Sequence, residues 1–332
     1  MTVSLLASSF MWTYSIERPG HLRRLDAPTP QNVAPGEVLL RPLSGGICGS
    51  DMAYYRGQVS HHHDADIARR SEVPGFSLHE IVGEVLECPG GEHTPGDVVV
   101  GWVTDSDGLA ERVVTAATSV VKVPDGMEPT IAVALQPLAC VLDITRRIPR
   151  VAGARTAVIG LGPIGLLFGH VLRSTGASEV VGVDPVDRTA VAETFGMNRT
   201  VMTSAQLWSM NLEPEDRPDL VIEAVGHQVG TLTHCLHALR PGGTLFYFGV
   251  PDDDVYPLPM DRMFRQSLTL MSGNVRDHSG ALREAIRYAT EHPGLLKALV
   301  SHTFSVHKTQ EAFALADTVH PDRLKVVLDF TA

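Results

Sequence analysis

The sequence predicts an α/β protein of two domains: a doubly wound parallel sheet in the second half of the chain and a β-rich unit ahead of it. Three observations carry this expectation. A glycine-rich turn joins a short apolar run to a helix-forming segment within residues 155–184, RTAVIGLGPIGLLFGHVLRSTGASEVVGVD. From there to about residue 271, strand-like and helix-like segments alternate, the pattern of a parallel sheet covered on both faces. From Trp12 to about Val123, by contrast, short β-like runs are split by Pro and Gly, which reads as a compact antiparallel barrel or sandwich.

The glycine turn comes first because the rest can be read as serving it. Thr156 to Ile159 is an apolar run suited to a buried parallel strand. Gly160, Gly162 and Gly165 follow at G-x-G-x-x-G spacing, with Pro163 and Ile164 between the last two. Gly160 permits a tight turn, Gly162 removes the side chain where a pyrophosphate would approach, and Gly165 lets the helix pack against the strand. The helix N-terminus offers free N–H groups to phosphates. Gly176 is a helix stop, and Glu179 to Val183 reads as a second strand ending at Asp184, 19 positions after Gly165. A carboxylate there accepts both ribose hydroxyls of NAD and repels the 2′-phosphate of NADP, so NAD is expected over NADP. Arg188 is close enough in sequence to blur that preference. Taken singly, the same residues also suit a plain glycine turn with Asp184 capping a helix that begins at Pro185. Strand, turn, helix, strand and acid in order favour the dinucleotide.

The remaining elements follow in chain order. GEVLLRPL at 36–43, IVGEVLE at 81–87, GDVVVGWV at 96–103 and AERVVTA at 110–116 are the strand candidates of the first unit. HHHDADIARR at 61–70 reads as a solvated loop, although its histidines and aspartates could also bind metal. ALQPLACVLDITRRI begins the helical approach to the nucleotide unit. After Asp184 the pattern predicts a helix over 186–195, a strand over 220–225, a helix over 228–239, then the runs 243–250 and 268–271. The tail holds a helix near 280–290 and a last apolar run, VVLDF, expected to fold back on the first unit to bury its apolar faces. The resulting division is 1–145 with 275–332 as one domain and 146–274 as the nucleotide-binding domain.

The 332 residues, 44% hydrophobic and 20% charged, are enough for two domains with real cores. A formal net charge of −11 without a basic run argues against nucleic acid or an anionic membrane surface and for a small-molecule partner. Cys48, Cys88, Cys140 and Cys235 are too few and too scattered for a disulfide framework, which suits a reducing cytoplasm. The start, MTVSLLASSFMW, lacks the basic n-region of a signal peptide, and no segment is long and apolar enough to span a bilayer.

Function must be argued from a second site. GGICGSD at 45–51 places a cysteine in a Gly-rich turn followed by a hydroxyl and a carboxylate. Together with PGFSLHEIVGEV, GLAERVV and GLGPIG, the stretch GEVLLRPLSGGICGSD resembles the zinc-dependent medium-chain alcohol and polyol dehydrogenases over nearly the whole chain. The resemblance implies a GroES-like β-barrel catalytic domain beside a Rossmann domain. It makes Cys48 a thiolate ligand of a catalytic Zn²⁺, His79 an imidazole ligand and Glu80 a ligand or a carboxylate just behind the metal. Asp51 would orient His79 through its other ring nitrogen, and Ser50 would pass the substrate proton towards solvent. Gln136, in LQPLACVLDI, resembles the Gln-Pro of the microbial glucose dehydrogenases and would be a further metal ligand. Asn274 matches a position beside the nicotinamide and Lys325 one that approaches the pyrophosphate. Cys140, one helical turn after Gln136, is expected in the core.

Several departures stand out. The usual Gly before the His-Glu pair is Leu78, which narrows the site or shifts the loop. Cys48 and His79 lie 31 positions apart, consistent with an insertion around 58–73. Val98 to Gly108 contains no cysteine, so the four-cysteine structural-zinc lobe is absent and one catalytic zinc, with no structural zinc, is expected. Asp51 is followed by Met52 and Ala53 rather than by a relay histidine. The expected activity is zinc-dependent hydride transfer between a secondary alcohol (sugar, polyol or cyclitol) and NAD, in a homodimer or homotetramer. Against it stand a zinc-free quinone or enone reductase of the same fold and a non-catalytic nucleotide-binding protein.

Overall fold

In a computed structural model, residues 9–58 and 73–332 are described, so the loop expected at 61–70 lies outside the described residues. The chain begins with a hairpin that sequence periodicity did not single out, β1 (Phe10–Arg18) against β2 (His21–Pro28). Then come β3 (Glu37–Gly46), α1 (Gly49–Tyr55), β4 (Glu80–Glu87), β5 (Val98–Trp102), β6 (Val113–Ala116) and β7 (Val120–Lys122). A short helix, α2 (Pro129–Ala132), leads to α3 (Leu135–Arg147).

The parallel-sheet unit runs β8 (Arg155–Ile159), α4 (Pro163–Ser174), β9 (Glu179–Asp184), α5 (Thr189–Ala192), β10 (Arg199–Met202), α6 (Ala205–Met210), β11 (Leu220–Glu223), α7 (Val229–Ala238), β12 (Thr244–Tyr247), α8 (Met260–Gln266) and β13 (Thr269–Ser272). The end of the chain adds α9 (His278–Glu291), α10 (Leu295–Leu299), β14 (Val300–Ser305), α11 (Thr309–Ala316) and β15 (Lys325–Asp329).

All six strands β8–β13 pair in parallel, in the order β10-β9-β8-β11-β12-β13. This is the doubly wound arrangement, with its switch point between β8 and β11, where the C-terminal strand ends leave a crevice. The seven-stranded sheet has the order β14-β15-β3-β4-β5-β7, with β6 paired to β3. The last strand, β15, runs antiparallel to β3, pairing Val327 with Gly46 and Asp329 with Ser44. The end of the chain thus completes the sheet that its first third begins.

Helix α3 explains how the two sheets share a core. Every residue from Leu135 to Thr145 is buried, as expected of a helix covered on all sides. One apolar cluster runs from Val82 and Val100 of the antiparallel sheet through Leu138, Val141 and Ile144 to Phe168 and Ile222 of the parallel unit. A second, with Ile159, Val183, Trp208 and Leu236, fills the other face of the parallel sheet.

Several segments are shorter than the sequence periodicity predicts. The helix expected over 186–195 is only Thr189–Ala192, and the strand expected over 220–225 stops at Glu223, whose carboxylate accepts the N–H groups of Val225 and Gly226 and turns the chain away. The run 243–250 pairs only as far as Tyr247. Conversely, the Gly-Ser-Asp turn after Cys48 is a helix, because Asp51 caps it from its own third position.

The glycine turn is fixed by close approach. Gly160 has φ +92°, and a Cβ on Gly165 would stand 1.7 Å from the Gly160 carbonyl oxygen. A Cβ on Gly162, the N-cap residue of α4, would meet nothing within 4 Å. At the other end of α4, Gly176 (φ +97°) closes a Schellman motif: its N–H donates to Arg173 and that of Ala177 to Leu172. Gly165→Ala is therefore expected to lower unfolding free energy by about 1–3 kcal/mol, as overpacking does, whereas Gly162→Ala should stay within about 0.5 kcal/mol of the parent. Urea titration of both variants checks this, and equal stabilities would contradict the packing argument.

Candidate metal and dinucleotide site

The first cluster grows from α1 and β4. Cys48 is the N-cap residue of α1, and its backbone N–H donates to Asp51 Oδ2 at 2.8 Å. The other Asp51 oxygen lies 3.3 Å from His79 Nδ1. One carboxylate, 2% exposed, therefore fixes both the cysteine backbone and the imidazole. His79 and Glu80 are adjacent at the head of β4, yet both reach the cysteine: ligand atoms of Cys48, His79 and Glu80 lie within 4.8 Å of one another. Thiolate, imidazole and carboxylate are a donor set that zinc accepts, so these residues fit the metal. Burial by itself would lower the pKa of His79, but Asp51, by charge and hydrogen bond, and Cys48 together raise it well above its ordinary value in the metal-free protein.

Behind the cluster lies a residue pair that the sequence does not join. Lys325, at the start of β15, directs its Nζ to Glu80 Oε2 at 2.5 Å and to the Ile47 carbonyl at 2.9 Å. Both side chains are at most 2% exposed. Burial alone would depress the lysine pKa, but Glu80 and Cys48 hold it above the usual value. Gly46 makes room for the pair: a Cβ there would fall 2.3 Å from Glu80 Oε2 and 2.9 Å from Lys325 Cε. A lysine in the otherwise apolar run LKVVL was the one signal that could have revealed a buried ion pair.

The other candidates are distributed as follows. Ser50 is half-buried on α1, between Gly49 and Asp51. Gln136 is 3% exposed in the first turn of α3, next to Pro137. Cys140 is buried, and its thiol pKa is raised by burial and by the charges of Glu80 and Cys48. Leu78 turns fully into the core, with its backbone bonded to Ser106 and Gly108. Asn274 is exposed after β13, with its Oδ1 accepting the Val275 N–H, and does not line the cleft described next.

A single cleft of roughly 430 Å³ connects this cluster to the glycine turn. Cys48, Glu80 and Pro137 line one end; Gly160, Gly162, Pro163 and Ile164 line the middle; Asp184, Arg188 and Arg323 line the far end. Asp184 accepts the N–H of Leu161 at 2.6 Å and of Val186 at 2.7 Å, so its carboxylate is held against the glycine turn with lone pairs to spare. Arg188 is 5% exposed and donates to the main-chain carbonyls of His320 and Pro321, tying the parallel unit to the segment that leads into β15. The Nε atoms of Arg188 and Arg323 are buried without a partner, which leaves two cationic donors beside the acid. The open space at Gly162 and the cations of the cleft fit a dinucleotide carrying a pyrophosphate.

Comparison with known proteins matches two stretches of the chain. Residues 34–125 match the alcohol dehydrogenase GroES-like domain, and residues 163–291 match the zinc-binding dehydrogenase domain. A zinc-binding alcohol dehydrogenase of Mycobacterium tuberculosis is 30% identical over 77% of this chain and 72% of its own. Sorbitol dehydrogenase of Gallus gallus is 25% identical, over 90% of this chain and 91% of its own. Among solved structures, an alcohol dehydrogenase of Escherichia coli complexed with NADH superposes with a TM-score of 0.80 at 22% identity, covering 97% of this chain and 100% of that one.

Removing one member of a buried ion pair leaves the other charge uncompensated, which costs about 3–5 kcal/mol. Lys325→Ala should therefore lose about that much stability in chelator-treated protein, and the neutral double variant Lys325→Met with Glu80→Gln should recover most of it. A double-mutant cycle by urea denaturation measures the difference. Additive losses would mean that the two charges do not compensate each other.

Proposed function

The chain belongs to the zinc-dependent medium-chain alcohol and polyol dehydrogenase family, and from that premise we propose that it oxidises a secondary alcohol of the sugar, polyol or cyclitol class with NAD as hydride acceptor. The observation that carries this reading is the one cleft running from the Cys48, His79 and Glu80 cluster to the glycine turn and Asp184. Substrate and cofactor have to meet where these two ends converge. Relatives named for sorbitol, xylulose and glucose support the substrate class.

When bound, zinc supplies a Lewis acid for the substrate hydroxyl and the dinucleotide supplies the hydride acceptor. One zinc is proposed, held by Cys48, His79 and Glu80 with Gln136 as a further ligand. Asp51 keeps the His79 ring oriented. Ser50 carries the substrate proton away from the site; with Met52 and Ala53 following Asp51, its route continues through water or another side chain. Gly160, Gly162, Pro163, Ile164 and Gly165 cradle the pyrophosphate, and Asp184 accepts the adenosine ribose hydroxyls. Lys325, which lines the cleft, is proposed to approach the pyrophosphate, and Asn274 to lie by the nicotinamide.

The protein is further proposed to be a homodimer or homotetramer that associates through the β13 edge. Thr269 and Ser272 of this strand are exposed, and the neighbouring Phe264 and Val255 are 83% and 82% exposed. No helix of the described residues is long and apolar enough to cross a membrane, and all four cysteines are free, in keeping with a cytoplasmic site of action.

A panel of sugars, cyclitols, polyols and simple alcohols, followed by NADH absorbance with zinc measured alongside, tests the activity. Cys48→Ala should lose both zinc and turnover while remaining folded, and full turnover in metal-free protein would remove the zinc assignment. Asp184→Ala should narrow the preference for NAD over NADP by about tenfold, the worth of one hydrogen bond to a charged group. A parent enzyme that prefers NADP would show that Asp184 does not govern the ribose.

A further inference from the structure

Glu223 is a charged residue that the reaction as described leaves without a task. It ends β11, the strand across the switch point from β8, and is 0% exposed. Its Oε1 accepts the N–H of Val225 at 3.2 Å and that of Gly226 at 3.1 Å, and the Gly226 N–H also reaches Oε2 at 3.4 Å. The Gly249 N–H, from the loop after β12, donates to the Glu223 main-chain carbonyl at 3.2 Å. No cation among the described residues faces it. The titratable groups that do are the Cys235 thiol on α7 and the Tyr247 phenol on β12, both with pKa values raised by burial and then by Glu223 itself, hence both neutral.

The loops it holds are part of the cleft. Ala224, Val225 and Gln228 line the cleft opposite the glycine turn, and a Cβ on Gly160 would stand 3.0 Å from the Ala224 carbonyl. Gly226 and His227 are consecutive left-handed residues, φ +63° and +51°. The His227 N–H donates to Val250 at 2.8 Å, and its ring meets Asp252 at 2.6 Å. A Cβ on Gly249 would lie 2.1 Å from the Gly226 nitrogen and 2.5 Å from Glu223 Oε2. Two loops thus pass each other in near contact, joined at one residue, the first through its carboxylate and the second through its main-chain carbonyl. If Asp184 on β9 takes the adenosine half, the strands beyond the switch point take the nicotinamide half.

We propose that Glu223 is a positioning residue for the nicotinamide half of the cofactor: its carboxylate fixes the loop after β11 against the loop after β12, which its main-chain carbonyl holds, and so shapes the wall against which that half lies. The inference rests on the dinucleotide reading of the cleft. A carboxylate is an acceptor at both oxygens, whereas the protonated acid turns one oxygen into a donor facing N–H groups. Burial pushes the Glu223 pKa up to about 7, with the backbone N–H groups around it pulling it back down. The clasp is therefore complete above that pH and loosens as the pH falls through it.

The test measures binding of NADH and of ADP, which reports the adenosine half alone, between pH 6 and pH 8 by fluorescence and calorimetry. For the parent protein, NADH affinity should fall about tenfold towards pH 6 while ADP affinity changes little, the linkage expected when binding favours the ionised form. Glu223→Gln should bind NADH weakly and without pH dependence, and ADP as the parent does. Hydrogen exchange in the parent, corrected for intrinsic rate, supplies a readout that needs no variant: the Val225 and Gly226 amides should lose protection together at pH 6. A flat NADH profile with unchanged protection, or a Gln variant that keeps the pH dependence, would overturn the role of Glu223. Failure of the parent to bind ADP or NADH at any pH would instead overturn the dinucleotide reading.

Discussion

The buried pair of Lys325 and Glu80 constrains more of this structure than any other contact. Two charges taken out of water are tolerated only when each compensates the other. Glu80 lies on β4 beside His79, and Lys325 opens β15, the last strand of the chain. Their 2.5 Å approach can exist only if β15 pairs with β3, so the cluster of Cys48, His79 and Glu80 and the closure of the antiparallel sheet are settled together. The Lys325 bond to the Ile47 carbonyl reaches the residue before Cys48, which extends the constraint to the turn that carries the thiol.

A second carboxylate on the opposite side of the cluster does related work. Asp51 is buried, caps its own helix through the Cys48 N–H and orients the His79 ring. Between them, Asp51 and Lys325 hold the three donors from two sides. The site is preorganised by residues that need not touch a substrate, a familiar division of labour around metals.

The cleft joins this arrangement to the parallel sheet. Arg188 bonds to the main chain at 320–321, a few residues before Lys325. The far end of the cleft, around Asp184, is therefore tied by a short segment to the residue that pairs with Glu80. A chain with a formal net charge of −11 also places Arg188 and Arg323 along this one cleft. Local charge, rather than net charge, is what an anionic cofactor meets.

The sequence alone determined the elements whose signals are local. The G-x-G-x-x-G turn, the strand ending in Asp184 and the helix stop at Gly176 depend on neighbours within about 25 positions, so spacing and residue type revealed them. The family resemblance likewise rests on short motifs. Tertiary structure decided what depends on distant partners. Lys325 and Glu80 are 245 positions apart, and nothing in either neighbourhood names the other. The hairpin β1–β2 and the edge strand β10 carry weak alternation because they are only partly buried. The strand over 220–225 was read too long because Val225 is apolar; only the three-dimensional placement of Glu223 shows that its carboxylate takes the amides a strand would have needed. Hydrophobic pattern records which face a residue turns to the core, whereas the pairing of buried polar groups is fixed only when the chain has closed on itself.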